Sequence, residues 1–254
     1  MQRRECNGIS WLEFELLAPF KNLTHGVLLR HGGYSADSFA SLNMGFSLQN
    51  PLENNKVKLN REKVKKIFAF KNLYDCQLEH ADKIVEITHK NKGLRPTCDA
   101  LSTVLHDTVL MITHADCQAT IFYDPVQQAI ANVHAGWKGN VQNIYGKTVN
   151  FMKHHYGSFP DNLHVCISPS LGPYDAEFIH YRQELPPPFW EFQISPCYFD
   201  LWTIAKNQLL QAGVLEHHIQ IAQISNFSHP EDYFSYRREK ITGRHGTFVA
   251  LKSS

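Results

Sequence analysis

Residues 109–139, VLMITHADCQATIFYDPVQQAIANVHAGWKG, constrain the fold of this chain more than any other stretch. VLMIT (109–113) is a continuous apolar run of the kind found in a buried strand. ATIFY (119–123) follows, Asp124-Pro125 opens a turn, and QAIANVHA (128–135) returns as a strand. Strand alternation puts Ala129, Ala131 and Val133 on one face and His134 on the other, near the strand's end. Cys117 closes the VLMIT region, so the turn at 124–127 can bring a thiol and an imidazole together.

The flanking sequence supplies further elements. Trp11, Phe14 and Leu16/Leu17 mark a short strand or edge, and Gly32-Gly33 forces a turn. SLNMGFSLQNPLENN (41–55) reads as loop, and 60–70 as a helix capped by Asn60, with Val64, Ile67 and Phe68 as its stripe. KIVEI (83–87) alternates as a strand, and 89–98 is a loop. A helix is expected over 140–156, with Val141, Ile144, Thr148, Phe151, Met152 and His155 on one side and Gly157 as its stop. LHVCIS (163–168) is a strand, 175–199 is irregular, Asp200 caps a helix closed by Gly213, and IQIAQIS (219–225) is a strand. The C-terminal part reads as a basic loop followed by a final strand. Helices and strands mix without a strict βαβ rhythm, so the expected class is α+β, one domain over 1–254 with packed mixed sheets flanked by helices.

Composition narrows the function classes. With 254 residues the chain can bury a large core, and a net charge of +1 provides no general field for nucleic acid or an anionic membrane. No apolar run reaches the roughly 18 residues of a membrane span. Glu5, Glu13 and Glu15 interrupt the N-terminal apolar segment, which argues against a signal peptide. The six cysteines are spread without a C-x-x-C pair and read as free thiols, consistent with a cytoplasmic location.

A Cys–His pair of this kind has three readings: a shared metal, a nucleophilic dyad, or a buried thiol beside a hydrogen-bonded core histidine. His80, just before the KIVEI strand, adds a third ligand at a third strand end. One sulfur and two imidazoles leave a tetrahedral position open, the arrangement of a catalytic zinc. His114 is either a packing neighbour or a fourth ligand that would close the site. Asp116 can orient an imidazole, act as a turn residue, or hold a proton. Trp137 can stack on a flat heterocycle or close the core. Arg30, Arg237, Arg238 and Arg244 lie in loops where a guanidinium can meet phosphate or simply face solvent.

Segments along nearly the whole chain carry a family resemblance: LLRHGGYSADSFASLNMG (28–45), HADKIVEI (80–87), CDAL (98–101), THADC (113–117), NVHAGWKG (132–139), ISPSLGP (167–173) and YFSYRREKITGR (233–244). In these the chain resembles the YfiH-like proteins, also called laccase-domain or multicopper polyphenol oxidase proteins and described as purine nucleoside phosphorylases. The resemblance implies a fold similar to a class of cysteine hydrolases. It also implies metal ligands at His80, Cys117 and His134, zinc as the metal with copper as the alternative, and phosphorolysis of adenosine, inosine, guanosine and methylthioadenosine, with adenosine deamination as well. Purine nucleoside and phosphate are then the partners. The catalytic candidates are Cys117, His80, His134 and Asp116, and the substrate-side candidates Arg30, Asn43, Trp137, Arg237 and Arg244. Copper-dependent phenol oxidation is the alternative, weakened because a multicopper site needs many paired histidines; a non-catalytic structural metal is the third reading. The sequence departs from the family pattern at Gln77-Leu78-Glu79-His80-Ala81, where Gln-x-His-Gly is usual, and at Ser168–Tyr174, while all three metal positions are kept.

Overall fold

The computed structural model describes residues 1–47, 50–91 and 93–253. Among them the strands build two six-stranded sheets and a two-stranded hairpin. The first sheet has the order β1 (Gln2–Cys6), β2 (Ile9–Glu13), β3 (Leu23–Leu28), β14 (His245–Leu251), β7 (Thr108–His114), β4 (Asn72–Tyr74). The second has the order β13 (Ile219–Ile221), β10 (His164–Ile167), β8 (Gln118–Asp124), β9 (Ala129–Ala135), β6 (Ala100–Thr103), β5 (Ile84–Glu86). The hairpin is β11 (Gln193–Ser195) with β12 (Tyr198–Phe199). The helices are α1 (Pro51–Phe68), α2 (Trp137–Val141), α3 (Ile144–Tyr156), α4 (Tyr181–Glu184), α5 (Leu201–Gln211) and α6 (Tyr236–Glu239). Parallel pairings of β4 with β7, β5 with β6 and β13 with β10 make both sheets mixed, as expected from the sequence.

The sheets stack face to face, and alternation within each strand explains the continuous apolar runs. In β7, Leu110 and Ile112 enter the core between the sheets, together with Ile121, Tyr123 and Ile130 from the second sheet. Val109 and Met111 point the other way, to Val64, Ile67 and Phe68 of α1. In β9, Ala129, Ala131 and Val133 face α3 and α5 through Ile144, Val149, Met152 and Leu209. The resulting order is helix, sheet, sheet, helix, and strands covered on both faces have no polar side to show.

Two helix boundaries differ from the sequence expectation. α1 begins at Pro51, inside the segment 41–55 expected to be loop. Asn50 caps it by accepting the Glu53 N–H, and a proline at the first helical position loses no helical hydrogen bond. Asn60, the expected cap, is buried mid-helix and bonds Tyr34 N–H, Ser41 O and Asn43 O. Residues Leu48 and Gln49 of that expected loop, and Lys92 of the loop 89–98, lie outside the described residues. The single helix expected over 140–156 is instead α2 and α3, broken at Asn143, whose backbone is left-handed (φ 53°) and whose side chain caps α3 at Gly146 N–H. Asp200 caps α5 at Trp202 N–H and Thr203 N–H, in agreement with the sequence. The hairpin β11–β12 and α4 give local order to the segment 175–199, which read as irregular.

Two buried histidines make stability depend on pH. His25 Nε2 accepts the Phe14 N–H at 2.9 Å, and His245 Nε2 accepts the Phe234 N–H at 2.8 Å while its Nδ1 meets Leu28 O. Burial pushes each down to about 4. Below the ordinary imidazole value of about 6.5 the unfolded chain binds protons that the folded chain refuses, so stability falls as pH drops. The expected loss between about pH 6.5 and 4 is up to roughly 3 kcal/mol per histidine. Urea midpoints measured across that window check this, and a flat profile contradicts it.

Candidate metal centre

β7 belongs to the first sheet and β8 to the second, so Ala115-Asp116-Cys117 cross from one to the other. The crossing is tight, with Asp116 at φ 89°. It delivers Cys117 to the mouth of the β8–β9 ladder, where Gln118 pairs with Ala135 and Ala119 with His134. The chain leaves β9 through Gly136 into α2. A Cβ on Gly136 would lie 3.1 Å from Cys117 Sγ and 3.9 Å from both imidazoles, so the backbone can close here only as glycine or with a shift of the sulfur.

His80 arrives from the loop between β4 and β5 in a left-handed conformation (φ 58°). Its imidazole meets that of His134 edge to face, with centroids 4.9 Å apart. The ligand atoms of His80, Cys117 and His134 all lie within 4.8 Å of one another, and theirs is the one such group of metal-binding type among the described residues. A sulfur with two imidazole nitrogens suits zinc or copper better than magnesium or calcium. The donor set therefore fits the implied metal, with His80 exposed and His134 buried.

Asp99 holds this group together. Its carboxylate is fully buried just before β6. Oδ1 accepts from His134 Nδ1 at 2.9 Å and from the His80 N–H at 3.0 Å, and Oδ2 accepts from the Ala81 N–H at 2.8 Å. Its backbone carbonyl also accepts the His134 N–H at 2.7 Å. With Nδ1 committed to Asp99, His134 offers Nε2 to an ion, the usual carboxylate–histidine–metal relay. Burial alone would raise the Asp99 carboxyl, but the bonds from His134, Ala81 and His80 hold it below its ordinary value. Burial alone would likewise lower His134; the adjoining Cys117 sulfur and Asp99 outweigh it and raise it to about 9. Burial and the neighbouring His134 lower His80. Residue spacing pointed to Asp116 as a carboxylate able to orient an imidazole. The only sequence signal for Asp99 was its place inside the CDAL segment.

Asp116 has other contacts. Its Oδ2 accepts the Arg237 N–H at 2.6 Å, its Oδ1 is buried without a hydrogen bond, and burial raises its carboxyl. His114 is buried, bonded through Nε2 to Thr247 Oγ1 at 2.8 Å and kept neutral by burial, and it stands outside the three-donor group. Two cavities meet at Cys117. One, of about 760 Å³, holds His80, Cys117 and His134 with Arg244 and Arg95 on its wall. The other, of about 600 Å³, has Asp116, Trp137, Phe178 and Arg237 around it. Cys117 and Tyr236 line both. Arg30 and Asn43 line neither: Arg30 bonds Ala40 O and Pro230 O and lies over the Phe234 ring, and Asn43 accepts the Gly45 N–H and Arg244 N–H. Arg238 is used on the carbonyls of Asn226, Phe227 and Tyr233.

A sequence model of the family described as multi-copper polyphenol oxidoreductase laccase matches residues 24–252. The chain belongs to this family. Among its relatives, the purine nucleoside phosphorylase YlmD of Geobacillus stearothermophilus is 29 % identical over 92 % of both chains. The crystal structure of that YlmD superposes with a TM-score of 0.87, covering 98 % of each chain at 28 % identity. The hypothetical protein YfiH of Bacillus licheniformis superposes with a TM-score of 0.86 at 25 % identity, over 98 % of this chain and 99 % of the other. These neighbours bear out the YfiH-like fold that the sequence motifs implied. No helix among the described residues is long and apolar enough to cross a membrane.

Proposed function

We propose that the chain is a zinc-dependent purine nucleoside phosphorylase that splits adenosine, inosine, guanosine or methylthioadenosine with phosphate into free base and ribose 1-phosphate, and that also deaminates adenosine. The observation that carries the reading is the His80–Cys117–His134 group, steadied by Asp99 and open to two cavities, in a chain whose relatives are named purine nucleoside phosphorylases. Both cavities are of a size that takes a small ligand.

His80, Cys117 and His134 would hold the ion, which supplies Lewis acidity when bound. In phosphorolysis the C1′–N9 bond breaks with its electron pair leaving on the base, and a phosphate oxygen forms the new bond to C1′. The departing base needs a proton. Asp116 is the proton holder we assign, because burial raises its carboxyl and its Oδ1 has no hydrogen-bond partner among the described residues. Trp137 and Tyr236 can cover the two faces of a base lying near Cys117. The backbone N–H of Arg237 holds the Asp116 carboxyl group, so α6, which carries Arg237, positions the proton donor.

Zinc-loaded protein incubated with inosine is expected to release hypoxanthine only when phosphate is present, with ribose 1-phosphate formed in equal amount. Base release independent of phosphate would point to hydrolysis instead. Phenol oxidation by copper-loaded protein without any base release would favour the oxidase reading that the family's description carries.

A further inference from the structure

The cavity that holds the three metal donors is one-signed. Arg95 and Arg244 stand on its wall, and none of the described residues lining it is an aspartate or glutamate. The neighbouring cavity is different, with Asp116, Glu177 and Glu184 beside Arg237 and Lys240. A group carrying two negative charges is therefore favoured in the first cavity and opposed in the second.

Both arginines are held in place yet keep donors free. Arg95 gives Nε to Asp75 Oδ2 at 3.0 Å and Nη2 to Cys76 O at 3.1 Å, which leaves Nη1 without a protein partner among the described residues. Arg244 gives Nη1 to the carbonyls of Thr242 and Gly243, which leaves Nε and Nη2 without a protein partner among the described residues. Its stem lies where a side chain on residue 45 would go, since a Cβ on Gly45 would fall 2.6 Å from its Cγ. Asn43 anchors the same residue by accepting the Arg244 N–H at 2.9 Å.

Asp75 is shared between Arg95 and the buried Arg61, which bonds it at 2.9 Å, so one carboxylate faces two guanidinium groups. Both arginines also lie over the Phe46 ring, at 4.1 Å for Arg61 and 5.4 Å for Arg95. Among the described residues the Arg244 guanidinium makes no ion pair and bonds only carbonyls. The wall thus carries uncompensated positive charge on preoriented guanidinium forks, the geometry that suits phosphate.

We propose that Arg95 and Arg244 form the phosphate-binding subsite, placing the attacking phosphate in the metal cavity. This rests on the phosphorolysis reading for its role in turnover but not for its existence as an anion site. It also moves the phosphate contact away from Arg30 and Arg238, whose guanidinium groups are tied to backbone carbonyls.

The test is calorimetric titration of zinc-loaded protein with inorganic phosphate, alone and with hypoxanthine present, for wild type, Arg95→Gln, Arg95→Lys and Arg244→Gln. Each Gln variant is expected to weaken phosphate binding roughly tenfold or more, as loss of a charge-assisted hydrogen bond does, with Arg95→Lys losing less. The KM for phosphate should rise in step while the KM for inosine holds. Thermal unfolding of each variant identifies any change caused by misfolding, and Arg244→Gln, which breaks no ion pair, keeps the test open if Arg95→Gln misfolds. Wild-type protein that binds no phosphate in either condition, or Gln variants that bind it as wild type does, overturns the proposal. Phosphate bound through both arginines with no base released from any nucleoside leaves the subsite standing and sinks the phosphorolysis reading. Base release with an unchanged phosphate KM in both Gln variants does the reverse.

Discussion

Replacing Cys117 with alanine is expected to reduce phosphate-dependent base release by at least about 10³-fold, because a Lewis acid held by two imidazoles alone loses several kcal/mol of transition-state stabilisation. Zinc content after dialysis should fall with it. The fold should survive, since Cys117 is only partly buried and belongs to none of the apolar clusters that fill the space between layers. A stability change within about 1 kcal/mol is the expectation for such a position. The outcome also separates a catalytic ion from a structural one. If Cys117→Ala and zinc removal both lower the melting temperature sharply while turnover per folded molecule is unchanged, the metal is a staple and the enzyme reading fails. An intact melting temperature with lost turnover is the result the site geometry favours, because His114 stands outside the group of three donors.

Asp99→Asn is the second large effect. The carboxylate accepts three hydrogen bonds, from His134 Nδ1, the His80 N–H and the Ala81 N–H. An amide has one oxygen and one NH₂ group. Whichever way it turns, a donor faces a donor: either the NH₂ meets the Ala81 N–H, or it meets His80 and His134. The left-handed turn at His80 then loses its anchor, and His134 loses the acceptor that fixes Nε2 toward the ion. Zinc affinity should drop by roughly 10–100-fold, the usual effect of losing a carboxylate behind a metal-bound histidine. Global stability should fall by about 3–5 kcal/mol, because a buried pair is broken and not replaced. Competition with a chromophoric chelator measures the first and urea unfolding the second. Zinc affinity unchanged in a folded Asp99→Asn protein would falsify the relay. Asp116→Asn provides the contrast: its carboxylate touches the Arg237 N–H and no imidazole, so zinc affinity should hold while base release suffers.

The arrangement of these groups explains how much of the site could be read in advance. The three candidate metal positions were legible because each closes or precedes a strand, and a strand end is fixed by local alternation. The cap at Asp200 was legible for the same reason, since it depends on hydrogen bonds two and three residues away. The start of α1 was missed because the Asn-Pro pair at 50–51 is equally a turn signal and a helix start, and packing of Val64, Ile67 and Phe68 against the first sheet decided between them. The break at Asn143 was missed because the apolar stripe continues across it, while a side-chain cap interrupts the backbone.

By itself the sequence determined the α+β class, the buried strands of residues 109–135, the three-donor set and, through its motifs, the family. These follow from periodicity and from residue chemistry carried within short segments. Tertiary structure alone decided which carboxylate stands behind His134, which arginines face the metal donors, and that residues 115–117 cross between sheets. Asp99 and Asp116 are equally good acids in a string of letters. They differ because β6 pairs with β9 and brings Asp99 to the imidazole, whereas the crossing turns Asp116 to Arg237 of α6. Arg30 and Arg95 are likewise both loop arginines, and only the folded chain ties one to carbonyls while turning the other's free donors to the cavity. Contacts between residues far apart in sequence depend on strand order, and strand order is set by the packing of whole layers, which no local pattern encodes.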